Sequence, residues 1–303
     1  MVKNITPTIL HVLQILQKYS DEKHPLLQSE LLTLLQQEFQ LSITRKTLRA
    51  HLGCLEASGY PIYYQKGWYY EHEVCDSEIS LLIHSLLFNR YIPYAQTKQL
   101  MKKLSSLGGM HSIHSFNFKE KPMGNAQFYY TLECINDAMD AQRQITFHYC
   151  QYDINKQLQP ICDEEGQPKL YTVNPYDIAV VHGRHYLIGN VDKYDDISHF
   201  RLDRIKNIAV IENIRKAKEN VHGFNEIQNI TRYVERRPYM FSGSTKKYTL
   251  RIKHYLIGDV MDYFGKEVLF EWENETWVLA TLIAEERSLL FWMRQYGEDV
   301  EMK

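Results

Sequence analysis

Apolar residues near the start of the chain recur every three or four positions. This spacing places side chains on one face of a helix, whereas strict alternation would indicate a strand. It predicts a first helix over residues 6–19, which ends before the segment around Pro25. A second helix is predicted after Ser29, which is a suitable capping residue, and leucines together with Phe39 form its buried side. The beginning of the chain is therefore predicted to be helical.

A third helix and a short β-ribbon follow this pair. The helix is predicted to begin at Thr44, with leucines on its buried face. Residues 61–65 and 68–70 then predict two strands around a turn at Lys66-Gly67. Three helices followed by a β-ribbon are the order of elements in a winged helix, whose third helix enters the major groove of DNA. The alternative is a small helical domain with a solvated cluster of charges.

The next part of the chain is also predicted to be helical. Residues 76–107 have a helical pattern that Pro93 interrupts, and another helix is predicted at about residues 129–142. The small residues of the segment 105–109 make it the best candidate for a linker.

Short strands are predicted in the middle of the chain. Residues 144–150, 176–181 and 185–191 are rich in β-branched and aromatic side chains, and a hairpin turn at Gly183-Arg184 is predicted to join the last two. One helix followed by about five short strands predicts a small, strongly bent sheet or barrel.

The segment Phe-Arg-Leu-Asp-Arg-Ile at residues 200–205 is predicted to form a single strand. Because a strand alternates its faces, Phe200 and Leu202 are expected in the core, and Arg201 and Asp203 on the opposite face. From the pattern alone, an edge strand with solvated charges is an open alternative.

The C-terminal part predicts a mixed structure. Residues 248–252, 267–271 and 277–281 have strand patterns, and residues 289–296 have a helical one. The pentapeptide His-Tyr-Leu-Ile-Gly occurs first at residues 185–189 and again further on, where it opens a run of apolar residues spaced by four. Since the two contexts differ, the recurrence is interpreted as a coincidence and not as an internal repeat.

Composition is that of a folded protein. The 303 residues allow two or three domains, and 44% hydrophobic with 24% charged residues is ordinary for such chains. No apolar run approaches the roughly 20 residues of a membrane-spanning helix, and the N-terminus lacks the pattern of a secretory signal. A cytoplasmic location is expected, and the five cysteines are expected to be reduced and mostly buried.

The distribution of charge is more informative than its sum. The formal net charge is −2, so the whole chain is not basic enough to attract nucleic acid. Between residues 40 and 70, however, the sequence contains four basic side chains and a single acidic one, Glu56. Arg45, Lys46 and Arg49 stand together near the start of the third predicted helix, where a recognition helix carries its donors. This local patch favours site-specific binding over general coating of DNA.

Motifs for catalysis or metal binding do not occur. The sequence has no nucleophile elbow, phosphate-binding loop or zinc-protease motif. His111 and His114 form a pair spaced by three, but serine and glycine surround them and a loop is the better interpretation. No enzyme, cofactor or metal site is therefore predicted.

The segment Tyr171–Asn190, together with residues 200–205, resembles the WYL domain of bacterial transcriptional regulators. The corresponding tripeptide is His185-Tyr186-Leu187, with histidine where the family usually has tryptophan. Residues 44–62 are similar to the winged helix-turn-helix that commonly precedes WYL domains, and the C-terminal part resembles the extension that often follows them.

The resemblance implies an α+β multidomain fold with a central SH3- or Sm-like small β-barrel and a C-terminal α+β sandwich. The expected divisions are a winged helix-turn-helix at 1–72, a helical linker at 73–121, a WYL domain at 122–212, a crossover at 213–243 and the extension at 244–303.

Two sets of site residues are implied. The expected DNA contacts are Thr44, Arg45, Lys46, Thr47, Arg49, Tyr64 and Lys66. The expected effector contacts are Tyr149, Arg184, His185, Tyr186, His199, Arg201, Asp203 and Arg204. Arg184 and Arg201 are expected to bind phosphate, because arginine forks match that group, whereas Asp203 is expected to orient an arginine.

The hypothesis is a ligand-responsive regulator that binds double-stranded operator DNA as a homodimer, since two half-sites need two reading heads. Its effector is expected to be anionic, either nucleotide-like or a short single strand, and no membrane partner is expected. The alternatives are a nucleotide-processing enzyme at the cluster of arginine, tyrosine and histidine, and an adaptor whose winged helix binds protein.

Overall fold

The computed structural model describes residues 7–89, 92–108, 127–224 and 229–303. The chain divides into two compact units, residues 1–123 and 124–303. The fold is mixed α+β, with helices at the N-terminus and several antiparallel sheets, as the sequence predicts. The predicted loop with His111 and His114, and the last residue of the predicted linker, lie outside the described residues.

The described residues of the first unit form helices and one hairpin. Its elements are α1 (Thr8–Tyr19), α2 (Gln28–Phe39), α3 (Arg45–Ala57), β1 (Ile62–Tyr64), β2 (Trp68–Tyr70), α4 (Asp76–Phe88) and α5 (Tyr94–Ser105). Leucines and isoleucines of α1, α2 and α3 and Ile62 of β1 form one core, in agreement with the predicted helical faces. The interruption predicted at Pro93 separates α4 from α5.

The second helix starts differently from the prediction. Its N-cap is Leu27 and not Ser29, because the side chain of Glu30 accepts the backbone N–H of Leu27 at 2.7 Å. Thr44, where the third helix is predicted to begin, is the N-cap of α3, since Thr44 Oγ1 accepts the backbone N–H of Thr47 at 3.1 Å. A carboxylate three positions into a helix can thus replace a hydroxyl at its start.

The described residues of the second unit form two sheets. Its elements are α6 (Phe128–Asp140), β3 (Arg143–Tyr152), β4 (Leu158–Pro160), β5 (Leu170–Val181), β6 (Arg184–Val191), β7 (Ile197–Arg201), β8 (Ile205–Ile214), α7 (Ile230–Glu235), β9 (Thr245–Lys253), α8 (Ile257–Phe264), β10 (Leu269–Trp272), β11 (Trp277–Glu285), α9 (Glu286–Met293) and β12 (Val300–Met302).

The central sheet is antiparallel and returns to its first strand. The order is β4-β3-β5-β6-β7, and β8 pairs with β3, so that Ile205 lies opposite Tyr149. The turn between β5 and β6 is His182-Gly183, not Gly183-Arg184, because Val181 pairs with Arg184. Both turn residues have positive φ, 47° and 72°, as a two-residue turn between twisted strands requires.

The segment at residues 200–205 is not one strand. Strand β7 ends at Arg201, the three residues Leu202–Arg204 form a 3-10 helix, and β8 begins at Ile205. The predicted alternation therefore fails after Arg201. Phe200 and Leu202 are buried, as predicted, but Asp203 is buried as well, with 3% exposure. The chain must turn here to bring β8 back to β3.

The C-terminal sheet has the order β10-β11-β9-β12, and its neighbouring strands are antiparallel. Helices α8 and α9 contribute to the same core as the inward side chains of β9 and β11. The order strand-helix-strand-strand-helix-strand is the ferredoxin-like arrangement. The second His-Tyr-Leu-Ile-Gly copy lies in a 3-10 turn and the start of α8, whereas the first lies in β6, so the two copies adopt different structures.

All five cysteines lie in the described part and form no disulfide. The expectation that most are buried is wrong, because Cys54, Cys75 and Cys162 are exposed. Among the described residues, no helix is long and apolar enough to cross a bilayer. The same residues contain no group of three or more histidine, cysteine or carboxylate side chains that could hold a metal ion.

Candidate nucleic-acid and ligand sites

Helix α3 presents its basic side chains to solvent at its first turns. Arg45, Lys46 and Arg49 are exposed, and the leucines of the opposite face are buried in the core of the first unit. Thr44 and Thr47 hold the start of the helix, since their hydroxyl oxygens lie 2.9 Å apart and Thr44 caps the backbone. No acidic residue lies in the first turn of α3. This end of the helix therefore combines positive side chains with the positive end of the helix dipole, which suits a phosphate backbone.

The β1–β2 hairpin adds a second exposed surface. Tyr64 is 64% exposed at the end of β1, and the exposed Lys66 has a left-handed backbone with φ of 61°. Gly67 closes the turn against Leu26, where an added Cβ would lie 2.9 Å from the backbone oxygen. Leu26 and Trp68 also exchange two backbone hydrogen bonds of 2.8 Å. The hairpin is thus attached to the chain that leads into α2, and its tip projects Tyr64 and Lys66.

Four of the eight predicted effector residues form one cluster, which we call the arginine–tyrosine cluster. It contains Tyr149, Arg201, Asp203 and Arg204. Both oxygens of Asp203 accept from Arg201, with Nε–Oδ1 at 3.0 Å and Nη2–Oδ2 at 2.8 Å. The side chains are 14% and 4% exposed. Asp203 therefore holds the guanidinium of Arg201 in one orientation.

Tyr149 joins the aromatic core of the central sheet to this ion pair. Its hydroxyl accepts the backbone N–H of Arg201 at 3.1 Å, and its ring lies 5.2 Å from Phe200. Burial raises the pKa of Tyr149, and the charges of Arg204 and Arg201 oppose that rise. Arg204 is thus close enough to act on the phenol. Its Nε is buried and makes no hydrogen bond among the described residues.

His185 lies on the side of β6 that faces α6. Its ring packs edge-on against Phe128, with centroids 5.1 Å apart. Burial lowers the pKa of His185, and the nearby carboxylate of Asp203 opposes this. His185 is therefore a half-buried ring with a lowered pKa beside the cluster, packed against Phe128 of α6.

Tyr186 and His199 do not join the cluster. Tyr186 is 7% exposed and packs in a core with Tyr176, Ile188 and Met240. Nε2 of His199 lies 2.7 Å from the hydroxyl of Tyr233. Arg184, at the tip of the β5–β6 hairpin, is half-buried beside His182, and its charge adds to burial in lowering the pKa of that histidine.

His199 lies in a second polar environment that the sequence did not indicate. Burial, followed by the charge of Arg237, lowers the pKa of His199 to about 4. Arg237 is 3% exposed, and its guanidinium stacks on Tyr233 with 4.2 Å to the ring centroid. Tyr233 and Arg237 are four residues apart at the end of α7, which is a helical spacing. The sequence predicts only a crossover for this segment.

One comparison with known proteins gives a family match for the segment that contains α6 and the central sheet. Residues 130–210 match the family model described as WYL domain. The matched segment includes the whole arginine–tyrosine cluster.

The other comparisons add little. No curated protein matches the chain. Among solved structures, the chain is similar to proteasome accessory factor B/C (PafBC) of Arthrobacter aurescens, with 14% identity and a TM-score of 0.29. The match covers 100% of this chain and 48% of that chain, so this chain spans about half of its length. At this score the likeness carries no functional inference.

Proposed function

We propose that the chain is a ligand-responsive, DNA-binding transcriptional regulator. In this proposal α1 to α3 and the β1–β2 hairpin form a winged helix-turn-helix, and the WYL domain is an SH3- or Sm-like barrel that binds the effector. The support for the barrel is that β8 pairs back with the first strand β3. The domain divisions at residues 72, 121, 212 and 243 belong to the same proposal.

DNA binding rests on one observation, the exposed basic start of α3. Arg45, Lys46 and Arg49 occupy solvent-facing positions of a helix whose other face is a closed leucine core. A helix held in this way can enter a major groove without unfolding its own domain. Thr44, Thr47, Tyr64 and Lys66 are proposed to contact the DNA backbone beside it.

The DNA-binding proposal is tested with the full chain and an operator selected from random duplexes. Arg49→Ala is expected to weaken binding about tenfold in a gel-shift titration, as for loss of a good base or phosphate contact. Lys23→Ala is the matched control, because it removes the same charge from an exposed position outside α3 and the hairpin. Equal affinities of the two variants would refute the assignment of α3 as the reading helix.

The effector is proposed to be anionic, with a nucleotide-like group or a short single strand as the class that fits arginine and tyrosine. In the arginine–tyrosine cluster, Arg201 is fixed by Asp203, and Arg204 has a buried Nε available as a donor. We propose that Arg201 and Arg204 bind the anion, with Tyr149 and His185 as walls. Arg184 is proposed as an outer contact at the hairpin tip.

The effector proposal is tested by the response of DNA binding to added oligonucleotides. Arg204→Gln keeps a polar side chain but removes the charge, so the wild-type change in operator affinity on adding the effector is expected to disappear. Affinity without effector should remain, because Arg204 lies outside the first unit. A retained response in Arg204→Gln would exclude this arginine from the site.

A homodimer is part of the proposal, because one α3 per chain reads only one half-site. Sedimentation of the full chain with and without a two-half-site operator tests it. A monomer that binds a single half-site with full affinity would contradict the dimer.

A further inference from the structure

The arginine–tyrosine cluster is largely closed to solvent, although it is proposed to bind an effector. The side chains of Arg201 and Asp203 are 14% and 4% exposed, and Nε of Arg204 is buried. Tyr149 is half-buried beside them. An anion cannot reach Nε of Arg204 in this arrangement, so effector binding there requires part of the surrounding structure to move.

Helix α6 lies against the cluster. It contacts the 3-10 turn Leu202–Arg204. Its first residue, Phe128, packs edge-on against His185 of β6, with ring centroids 5.1 Å apart. Phe128 is 2% exposed, and Thr131, one turn further on the same face of the helix, is fully buried. The first turn of α6, residues 128–131, is therefore the part of the helix that closes over His185.

The elements that meet here contain buried polar atoms without a hydrogen bond. On α6 they are the hydroxyl oxygens of Tyr129 and Thr131, and on the central sheet and its turn they are Nδ1 of His185 and Nε of Arg204. None of the four has a hydrogen-bond partner among the described residues. A buried polar atom without a partner costs free energy, and contact with water removes that cost. The closed arrangement is therefore unfavourable for these groups.

The start of α6 is also held weakly. Gln127 occupies the N-cap, but its side chain makes no capping hydrogen bond, and the first turn contains no acidic residue. The sequence of residues 128–131 is Phe-Tyr-Tyr-Thr, and all of these residue types have lower helix propensity than alanine or leucine. Further along the helix, Ile135 and Ala138 are fully buried. The first turn can consequently unwind while the rest of α6 stays packed.

We infer that the first turn of α6 is a lid on the proposed effector site and that it opens before the effector binds. Opening moves Phe128 away from His185 and makes Nε of Arg204 accessible to an anion. The inference rests on the proposed effector site, but the opening itself is a property of the chain without any ligand. Because only open chains bind, the apparent affinity for the effector is reduced by the fraction of chains that are open.

Chemical labelling of His185 tests the lid without an effector. Diethyl pyrocarbonate modifies accessible imidazole rings, and peptide mapping of the full chain gives the rate for each histidine. Thr131→Val replaces the unpaired hydroxyl by a methyl group of similar size, which favours the closed state, and is expected to slow the labelling of His185 about tenfold. Phe128→Ala removes the ring that packs on His185 and is expected to speed it about tenfold. The exposed His254 should keep its rate in both variants.

A matched control variant comes from α5. Thr97 is also fully buried in a helix, but its Oγ1 donates to the backbone oxygen of Pro93 at 3.2 Å. Thr97→Val is therefore expected to leave the labelling of His185 unchanged. An unchanged rate in Thr131→Val, or an equal decrease in Thr97→Val, would overturn the lid. Thr131→Val removes no apolar contact, so its folding is not at issue.

Binding of single-stranded DNA of about ten nucleotides connects the lid to the effector site. Thr131→Val is expected to weaken this binding by the same factor by which it slows the labelling of His185. Slower labelling with unchanged binding would also overturn the lid, since the first turn would then not control access. If this DNA binds neither the wild type nor the variants, the proposed effector class is wrong, and the labelling alone decides whether the first turn opens.

Discussion

The buried ion pair of Arg201 and Asp203 lies in the proposed effector site, and its loss is expected to affect stability as well. The Phe-Arg-Leu-Asp-Arg-Ile sequence allowed the prediction that an aspartate next to these arginines orients one of them, and the structure brings Asp203 onto Arg201. Burial of this pair could not be predicted, because strand alternation places Asp203 on the solvent side. The 3-10 turn at Leu202–Arg204 buries it instead.

Removing Arg201 alone is expected to destabilise the protein. Arg201→Ala removes both hydrogen bonds that Arg201 donates to the buried carboxylate of Asp203, and breaking a buried pair in this way costs about 3–5 kcal/mol. Arg201→Ala/Asp203→Asn removes the negative charge of Asp203 as well and should lose clearly less. Urea unfolding of the wild type and both variants measures the difference. Equal losses in the single and the double variant would show that the pair is not coupled.

His199 is expected to make stability depend on pH. Its pKa is about 4 in the folded protein, against 6.5 for the ordinary side chain. Between these values the unfolded chain binds more protons, so stability falls as the pH falls. From pH 7 to pH 5 the loss from this group is about 2 kcal/mol.

The contribution of His199 is isolated by substitution. His199→Gln keeps a polar group near Tyr233 but does not titrate, so its free energy of unfolding should fall by about 2 kcal/mol less than that of the wild type between pH 7 and pH 5. Urea unfolding at both pH values gives this difference. Parallel losses in the two proteins would mean that His199 is protonated in the folded state.

Local pattern predicted most elements, and it failed where the path of the chain depends on distant partners. The alternation of β3 and the helical spacing of α1 and α3 are visible in the sequence because each buries one face. The pentapeptide His-Tyr-Leu-Ile-Gly has no such fixed preference. It is a strand in β6, between β5 and β7, and a turn leading into a helix at α8. Packing around the segment, and not its own propensity, decides its structure.

The hairpin between β5 and β6 depends on a left-handed glycine. Gly183 has φ of 72°, a conformation that costs a residue with a Cβ about 1–2 kcal/mol. Gly183→Ala is therefore expected to lower the free energy of unfolding by about 1 kcal/mol. Gly258→Ala is the control in the same unit, because Gly258 lies in α8 with no atom within 4 Å of an added Cβ. That change should be neutral or stabilising, by about 0.5 kcal/mol.

Thermal unfolding of the two glycine variants distinguishes strain from crowding. An added Cβ at Gly183 also meets no atom within 4 Å, so any loss of stability there comes from the backbone conformation alone. If both variants were equally stable, the turn at His182-Gly183 would not need a left-handed residue.

At the scale of the whole molecule, the sequence predicted the order of its parts better than the groups that meet in space. The WYL segment was recognisable from the strands and from the Phe-Arg-Leu-Asp-Arg-Ile sequence. The contact of Tyr149 with Arg201 joins residues 52 positions apart, and that of His199 with Tyr233 joins residues 34 apart. Such pairs form because β8 returns to β3 and because of the position of α7. The local periodicity of the sequence does not reveal either arrangement.

The net charge of the whole molecule leads to a prediction about the salt dependence of the proposed DNA binding. A chain with a net charge of −2 has no general attraction for DNA, so the local basic patch must supply the electrostatic part of binding. Each phosphate contact contributes about −0.9 to the slope of log K against log salt. Arg45→Gln/Lys46→Gln is therefore expected to make the slope less steep by about 2 units in titrations at several salt concentrations. Lys23→Gln, exposed outside α3 and the hairpin, should leave the slope unchanged. The same slope in the wild type and the double variant would mean that the start of α3 does not meet phosphate, and another surface would have to carry the binding.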